Sequence, residues 1–158
     1  MSPPLHADVD CLRGLLGTWT GRGRGEYPTI EPFDYDETVT FSHVGKAFLA
    51  YAQRTTSLDD GRPLHAETGF LRSPSPGRVE LVVAQPTGLV EVDEGSFDGT
   101  TLRLASTAVG RTGSAVDVTM VTREMTLDGD DLRYVLAMAA VGQPLTHHLA
   151  ASLRRVPA

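Results

Sequence analysis

A chain of 158 residues is long enough for one domain with a substantial core and too short for two ordinary ones. Hydrophobic and charged contents of 41% and 22% are those of an ordinary soluble globular protein, and a net charge of −6 disfavours a nucleic-acid backbone as partner. The single cysteine, Cys11, excludes an intrachain disulfide framework, and no apolar run approaches the ~18 residues of a membrane span.

The first residues, Met1 to Asp8, carry neither the basic nor the apolar stretch of a signal peptide, so the cytoplasm is the expected location. Asp8–Leu16 follows, with Val9, Leu12, Leu15 and Leu16 spaced for one apolar helical face. Next comes Gly17-Thr18-Trp19-Thr20-Gly21-Arg22-Gly23-Arg24-Gly25, which holds the only tryptophan and alternates glycine with larger residues. Alternation is a strand period, and glycine inside a strand marks a bend or the close approach of another group. The arginines of this run are expected on the outside of a bent strand.

From there the periodicity is β-like throughout. It predicts strands over Thr18–Tyr27, Phe33–Val44, Ala47–Ser57, Leu64–Ser73, Val79–Gln85, Gly88–Phe97, Thr101–Thr107, Val116–Leu127, Leu132–Ala140 and Leu145–Val156. Short turn signals separate them, and Asp98-Gly99 and Asp128-Gly129 are hairpin cues. Ten strands with no crossover helices predict an all-β antiparallel meander, and closure into a lipocalin-like barrel would remove its exposed edges. Such a barrel has room inside for one small ligand. Leu81 and Val83, and likewise Val90 and Val92, alternate with polar or oppositely facing neighbours and are expected to supply the interior. No repeat or linker interrupts the chain, which predicts a single domain over 1–158.

Few residues advertise chemistry. No phosphate loop, zinc-ligand spacing or G-x-S-x-G nucleophile motif occurs. Of the five histidines, His6 falls in an expected frayed end, His43 beside a turn, and His65 on an alternating strand. His147 and His148 are adjacent, so a regular strand turns them to opposite faces. The residues by themselves lead to a small β-barrel built to hold a ligand.

Four blocks carry more. The G-x-W-x-G-x-G run of Gly17, Trp19, Gly21 and Gly23, continued through Ile30, resembles the signature of the nitrobindin family. The likeness extends through Phe41–Lys46, Leu64–Arg72 and Gln143–Leu149, in order along nearly the whole chain. The resemblance implies a ten-stranded barrel holding one haem b per subunit. It implies binding of nitric oxide and isomerisation of peroxynitrite to nitrate through ferric iron. The sequence leaves the oligomeric state open, a homodimer among the options. In this family the axial histidine lies in a Q-P-x-x-x-H-L block, which here matches His148 and not His147. By the same likeness Thr29, Ile30, Leu64, His65 and Met138 border the macrocycle, although Met138 reads equally well as core filler.

Residue patterning opposes the motif at one point. On the last strand Leu145, Leu149, Ala151 and Leu153 share parity with His147, so simple apolar-inward alternation turns His147 inside. Either a bulge re-aims His148, or the leucine face packs under the N-terminal helix while Ala150 and Ser152 leave room for a ligand. A non-enzymatic carrier or sensor of haem, or of another small apolar ligand, is the alternative on the same barrel. A third reading is a scaffold whose interior is filled by its own side chains.

Overall fold

The computed structural model describes residues Met1–Ala158. A 3₁₀ helix, Ala7–Leu15, precedes ten strands: β1 (Gly17–Tyr27), β2 (Ile30–Ser42), β3 (Leu49–Ser57), β4 (Pro63–Ser75), β5 (Arg78–Gln85), β6 (Leu89–Phe97), β7 (Thr101–Arg111), β8 (Val118–Asp128), β9 (Asp131–Ala140) and β10 (Thr146–Arg155). Each strand pairs antiparallel with its neighbour in sequence, and β1 pairs with β10 to close the barrel. The predicted meander is therefore observed, with every edge consumed. Gly99 and Gly129 take the left-handed backbone their hairpins require.

The helix plugs one end. Val9, Leu12 and Leu15 are fully buried, as the spacing predicted, although the turns are 3₁₀ rather than α. His6 is not frayed: its Nδ1 accepts the Asp8 backbone N–H at 3.2 Å and caps the helix. His43 similarly steadies its turn by accepting the Gly45 N–H at 3.3 Å. Trp19 is fully buried against the plug and donates its indole N–H to the Leu15 carbonyl at 2.8 Å. The Arg155 guanidinium lies 4.1 Å from the Trp19 ring centroid and also donates to the Leu16 carbonyl.

The glycine-spaced strand has a second use besides bending. A Cβ at Gly23 would overlap the Tyr35 ring, and one at Gly25 the Phe33 ring. These glycines let two aromatic side chains of β2 lie across the inner wall. Arg22 and Arg24 point outward, as expected, and pair with Asp36 at 3.3 Å and Asp34 at 3.1 Å.

One expectation is reversed. Leu81 and Val83 do face the core, but Val90 and Val92 lie on the outside, 49% and 38% exposed. Their partners in alternation, Glu91 and Asp93, are buried instead, between Leu89 and Phe97 on the same inward face of β6. The inversion has a physical cause: Arg123 of β8 reaches across the interior and supplies the charge that keeps both carboxyls inside.

Candidate functional site

At the end opposite the helical plug the barrel opens into a cavity of about 540 Å³. A bulge on β10 decides which histidine enters it. His147 is paired with Ala137 of β9 and Leu149 with Leu136, so His148 is an extra residue with no partner opposite it. Alternation resumes beyond the bulge, with Ala151 and Leu153 buried in the core. The bulge thus turns His148 into the cavity while the apolar face stays inward, and the packing of a leucine face under the helix is not needed. His147 remains outside, its Nε2 4.0 Å from the Glu26 carboxylate.

The His148 ring is held on three sides. Its Nδ1 lies 3.0 Å from the Glu26 carbonyl, a contact that requires the proton on Nδ1 and leaves the Nε2 lone pair free. Tyr27 and Phe33 meet the ring edge-on, with centroids 5.4 and 6.5 Å away. Tyr27 is itself fixed, because its hydroxyl accepts the Ala140 N–H at 3.0 Å and donates to the Met138 carbonyl at 3.1 Å. Burial lowers the His148 pKa below its ordinary value, so the imidazole is neutral at neutral pH. A neutral imidazole with one nitrogen anchored and the other free is a donor ready for a metal centre.

Ile30, Leu64, His65 and Met138 line the same cavity as His148. Thr29 does not: it is exposed in the turn between β1 and β2 and lines no part of the wall. Gly17 and Trp19 belong to the plugged end, whereas Gly21 and Gly23 shape the inner wall. The motif at the start of the chain therefore builds the container, and the site residues come from β2, β4, β9 and β10.

Sequence reasoning missed the far end of the cavity. There Arg123 donates to both Glu67 oxygens at 2.6 and 3.2 Å and to Glu91 at 2.8 Å, and its Nε stands 3.3 Å from Asp93. Tyr51 donates to Glu67 at 2.7 Å, and Gln85 to Glu91 at 2.6 Å. Burial alone would raise the Glu67 pKa, but the Arg123 charge and these donors outweigh it and hold the carboxyl well below the usual range. His65 stands above this floor, its Nε2 3.5 Å from Glu67. The missed signal was the parity itself: Glu37, Glu67, Glu91 and Arg123 fall on the inward positions of their strands.

Comparison with known proteins agrees with this geometry. The family model for a THAP4-like, heme-binding beta-barrel domain matches residues 8–155. Peroxynitrite isomerase 1 of Mycolicibacterium paratuberculosis is 57% identical over 98% of this chain and 99% of its own. Peroxynitrite isomerase of Nocardia farcinica is 54% identical over 98% and 94%. The crystal structure of Rv2717c from M. tuberculosis superposes with a TM-score of 0.92 at 47% identity, covering 98% of this chain and all of that one. Bulged histidine, open-ended barrel and near full-length similarity agree, and the chain belongs to the nitrobindin-type family of heme-binding β-barrel domains.

Proposed function

We propose that the chain is a peroxynitrite isomerase. It holds one haem b in the mouth of the barrel through His148, with ferric iron at rest and nitric oxide as a further ligand, and converts peroxynitrite to nitrate. The observation that carries this reading is the bulge that points a neutral, Nδ1-anchored imidazole into an open, largely apolar mouth. Relatives 54–57% identical over nearly the whole chain bear the name of the reaction. The donor set fits the group: one nitrogen ligand, apolar side chains of Ile30, Phe33, Leu64 and Met138 for a flat macrocycle, and no competing cluster of metal ligands.

Haem, when bound, supplies the iron at which the peroxynitrite oxygen–oxygen bond is broken and nitrate is formed. The protein's part is to bind, orient and exclude. The Glu26 carbonyl holds the Nδ1 proton and so keeps the Nε2 lone pair available to the iron. Tyr27 and Phe33 keep the imidazole from swinging about its own side-chain bonds. Ile30, Leu64 and Met138 line the cavity with His65 and would pack against the macrocycle and keep bulk water from it. Thr29, in the turn above the mouth, is left for the solvent edge of such a ligand.

A hemin titration tests the assignment. Wild type and His147→Ala are expected to give a Soret band, and His148→Ala to lose at least ~10–100-fold in affinity. Unchanged hemin affinity and spectrum in His148→Ala would overturn the axial role. The carrier reading wins if the loaded protein leaves the rate and products of peroxynitrite decay unaltered, or if the chain takes up fatty acid and ignores hemin.

We read the whole of 1–158 as one domain acting in the cytoplasm, with neither nucleic acid nor membrane as partner at a net charge of −6. A second copy is the proposed protein partner. In its support, Ala50, Phe70, Val82, Val92 and Ala108 stand opposite one another across β3 to β7, with Phe70, Val82 and Val92 exposed on the outer wall. Val82→Lys should then convert a dimer to a monomer in sedimentation velocity; a monomeric wild type would refute the pairing.

A further inference from the structure

The polar floor of the cavity is not balanced in charge. Glu37, Glu67, Glu91 and Asp93 are all buried there, and Arg123 is the one guanidinium among them. Its donors go to Glu67 and Glu91, and its remaining nitrogen faces Asp93. Glu37, only 3% exposed, is left with no cation. It receives two hydrogen bonds instead: Tyr134 Oη to its Oε2 at 2.6 Å, and Gln53 Nε2 to its Oε1 at 3.2 Å. Tyr35 lies behind Tyr134, hydroxyl to hydroxyl, at 2.9 Å.

An ionised carboxyl buried without a counter-ion is costly, and a proton removes the cost. A second atom points the same way. Gln53 is 7% exposed and lines the cavity, yet its Oε1 has no hydrogen-bond partner. A half-turn of the amide would bring that oxygen to Glu37, where a protonated Oε1 would donate to it. Tyr35 would then donate to Tyr134, Tyr134 to Glu37 Oε2, and Glu37 to Gln53, a chain running in one direction.

We propose that Glu37 is the proton-holding group of this cavity, neutral or ionised according to which end of the Gln53 amide faces it. Because Glu37 lines the cavity wall, its proton exchanges with whatever occupies that space. Losing the proton places a negative charge beneath the mouth and disfavours an anion bound there; holding it admits the anion. The groups that share the cavity with Glu37 include Tyr35 on β2, Tyr51 and Gln53 on β3, Asp59 and Arg62 in the turn after β3, His65 and Glu67 on β4, Glu91 on β6, Arg123 on β8, Tyr134 on β9 and His148 on β10, with Asp93 buried behind Arg123. Among these carboxyls Glu67 is tied to Arg123 and stays ionised. Burial, with the Glu67 charge adding to it against the donors Tyr134 and Gln53, lifts the Glu37 pKa to about 7. Burial likewise raises Asp93 to about 7 against the pull of Arg123, so the two must be told apart by experiment.

The effect on anions rests on the haem reading given above; the proton itself does not. Infrared difference spectra of the full chain without hemin, taken across about 7, should show a protonated-carboxyl C=O band that disappears as the pH rises. Glu37→Gln should lose the band, Asp93→Asn should keep it, and Tyr134→Phe should keep it with a higher midpoint, having lost a donor to the carboxylate. The Tyr134→Phe shift remains a test if Glu37→Gln fails to fold. A band that survives Glu37→Gln, one that vanishes in Asp93→Asn, or an unmoved midpoint in Tyr134→Phe would overturn the assignment. In hemin-loaded protein, azide affinity should fall with rising pH in wild type more steeply than in Glu37→Gln. Equal pH dependence in the two would overturn the effect on anions, while failure of hemin to bind would refute the haem reading and leave the infrared result standing.

Discussion

The two ends of this barrel are finished by opposite chemistry. At the plugged end Val9, Leu12, Leu15, Trp19, Leu132 and Leu153 form a dry core, and the indole N–H of Trp19 is satisfied. At the open end a half-buried imidazole, apolar rim residues and a floor of carboxyls surround free volume. The first arrangement gains stability from close packing. The second gives up packing and accepts the cost of buried charge, which makes sense only where something else is to be bound. Stability and ligand chemistry are therefore expected to separate along the barrel axis.

Substitutions can break that separation. The largest stability effect should come from Trp19→Ala, which opens a large cavity in the plug and removes the surface beneath Arg155. About 3–5 kcal/mol should be lost in denaturant unfolding, with hemin affinity of the surviving folded fraction little changed. A parallel fall in intrinsic hemin affinity would show that the two ends are not independent. Glu67→Gln comes next, at about 3 kcal/mol, because it leaves Arg123 short of a buried partner. His148→Ala should reverse the pattern, with hemin affinity lost and the folded barrel nearly as stable. The smallest effect belongs to Arg24→Ala, whose exposed pair with Asp34 should matter by less than about 0.5 kcal/mol.

The acid response of the floor sharpens the comparison, because two of its carboxyls, Glu67 and Glu37, act with opposite sign. Glu67 has a folded pKa below its unfolded value, so its contribution is present at neutral pH and is lost as the pH falls below the ordinary carboxylate range. Glu37 has a folded pKa raised from 4.5 to about 7. Its contribution is complete below about 4.5 and is lost as the pH rises through about 7. Chemical unfolding between about 5 and 8 should show stability declining with pH, and Glu37→Gln should flatten that slope.

Much of the fold was legible from turns and alternation. The hairpin at Asp128-Gly129 and the strand periods on either side of it need only local backbone preferences. The choice of His148 came from the family likeness, against the local pattern, and the bulge explains why the pattern misled. A bulge adds one residue without changing composition, so parity counted along the chain fails at that point. On β6 the same counting failed for another reason. Hydrophobicity favours Val90 and Val92 inside, but the face a strand buries depends on what waits there, and here it is Arg123, some thirty residues further along.

The sequence alone determined that the chain would form short strands joined by tight turns, with an apolar N-terminal plug and a glycine-spaced first strand, because each depends on residues close together in the chain. Only the tertiary structure decided which of two adjacent histidines faces the cavity, which face of β6 is inside, and that one carboxyl is left without a counter-ion. Those outcomes depend on register and on charges brought together from β2, β4, β6 and β8, and closure of the barrel sets both at once.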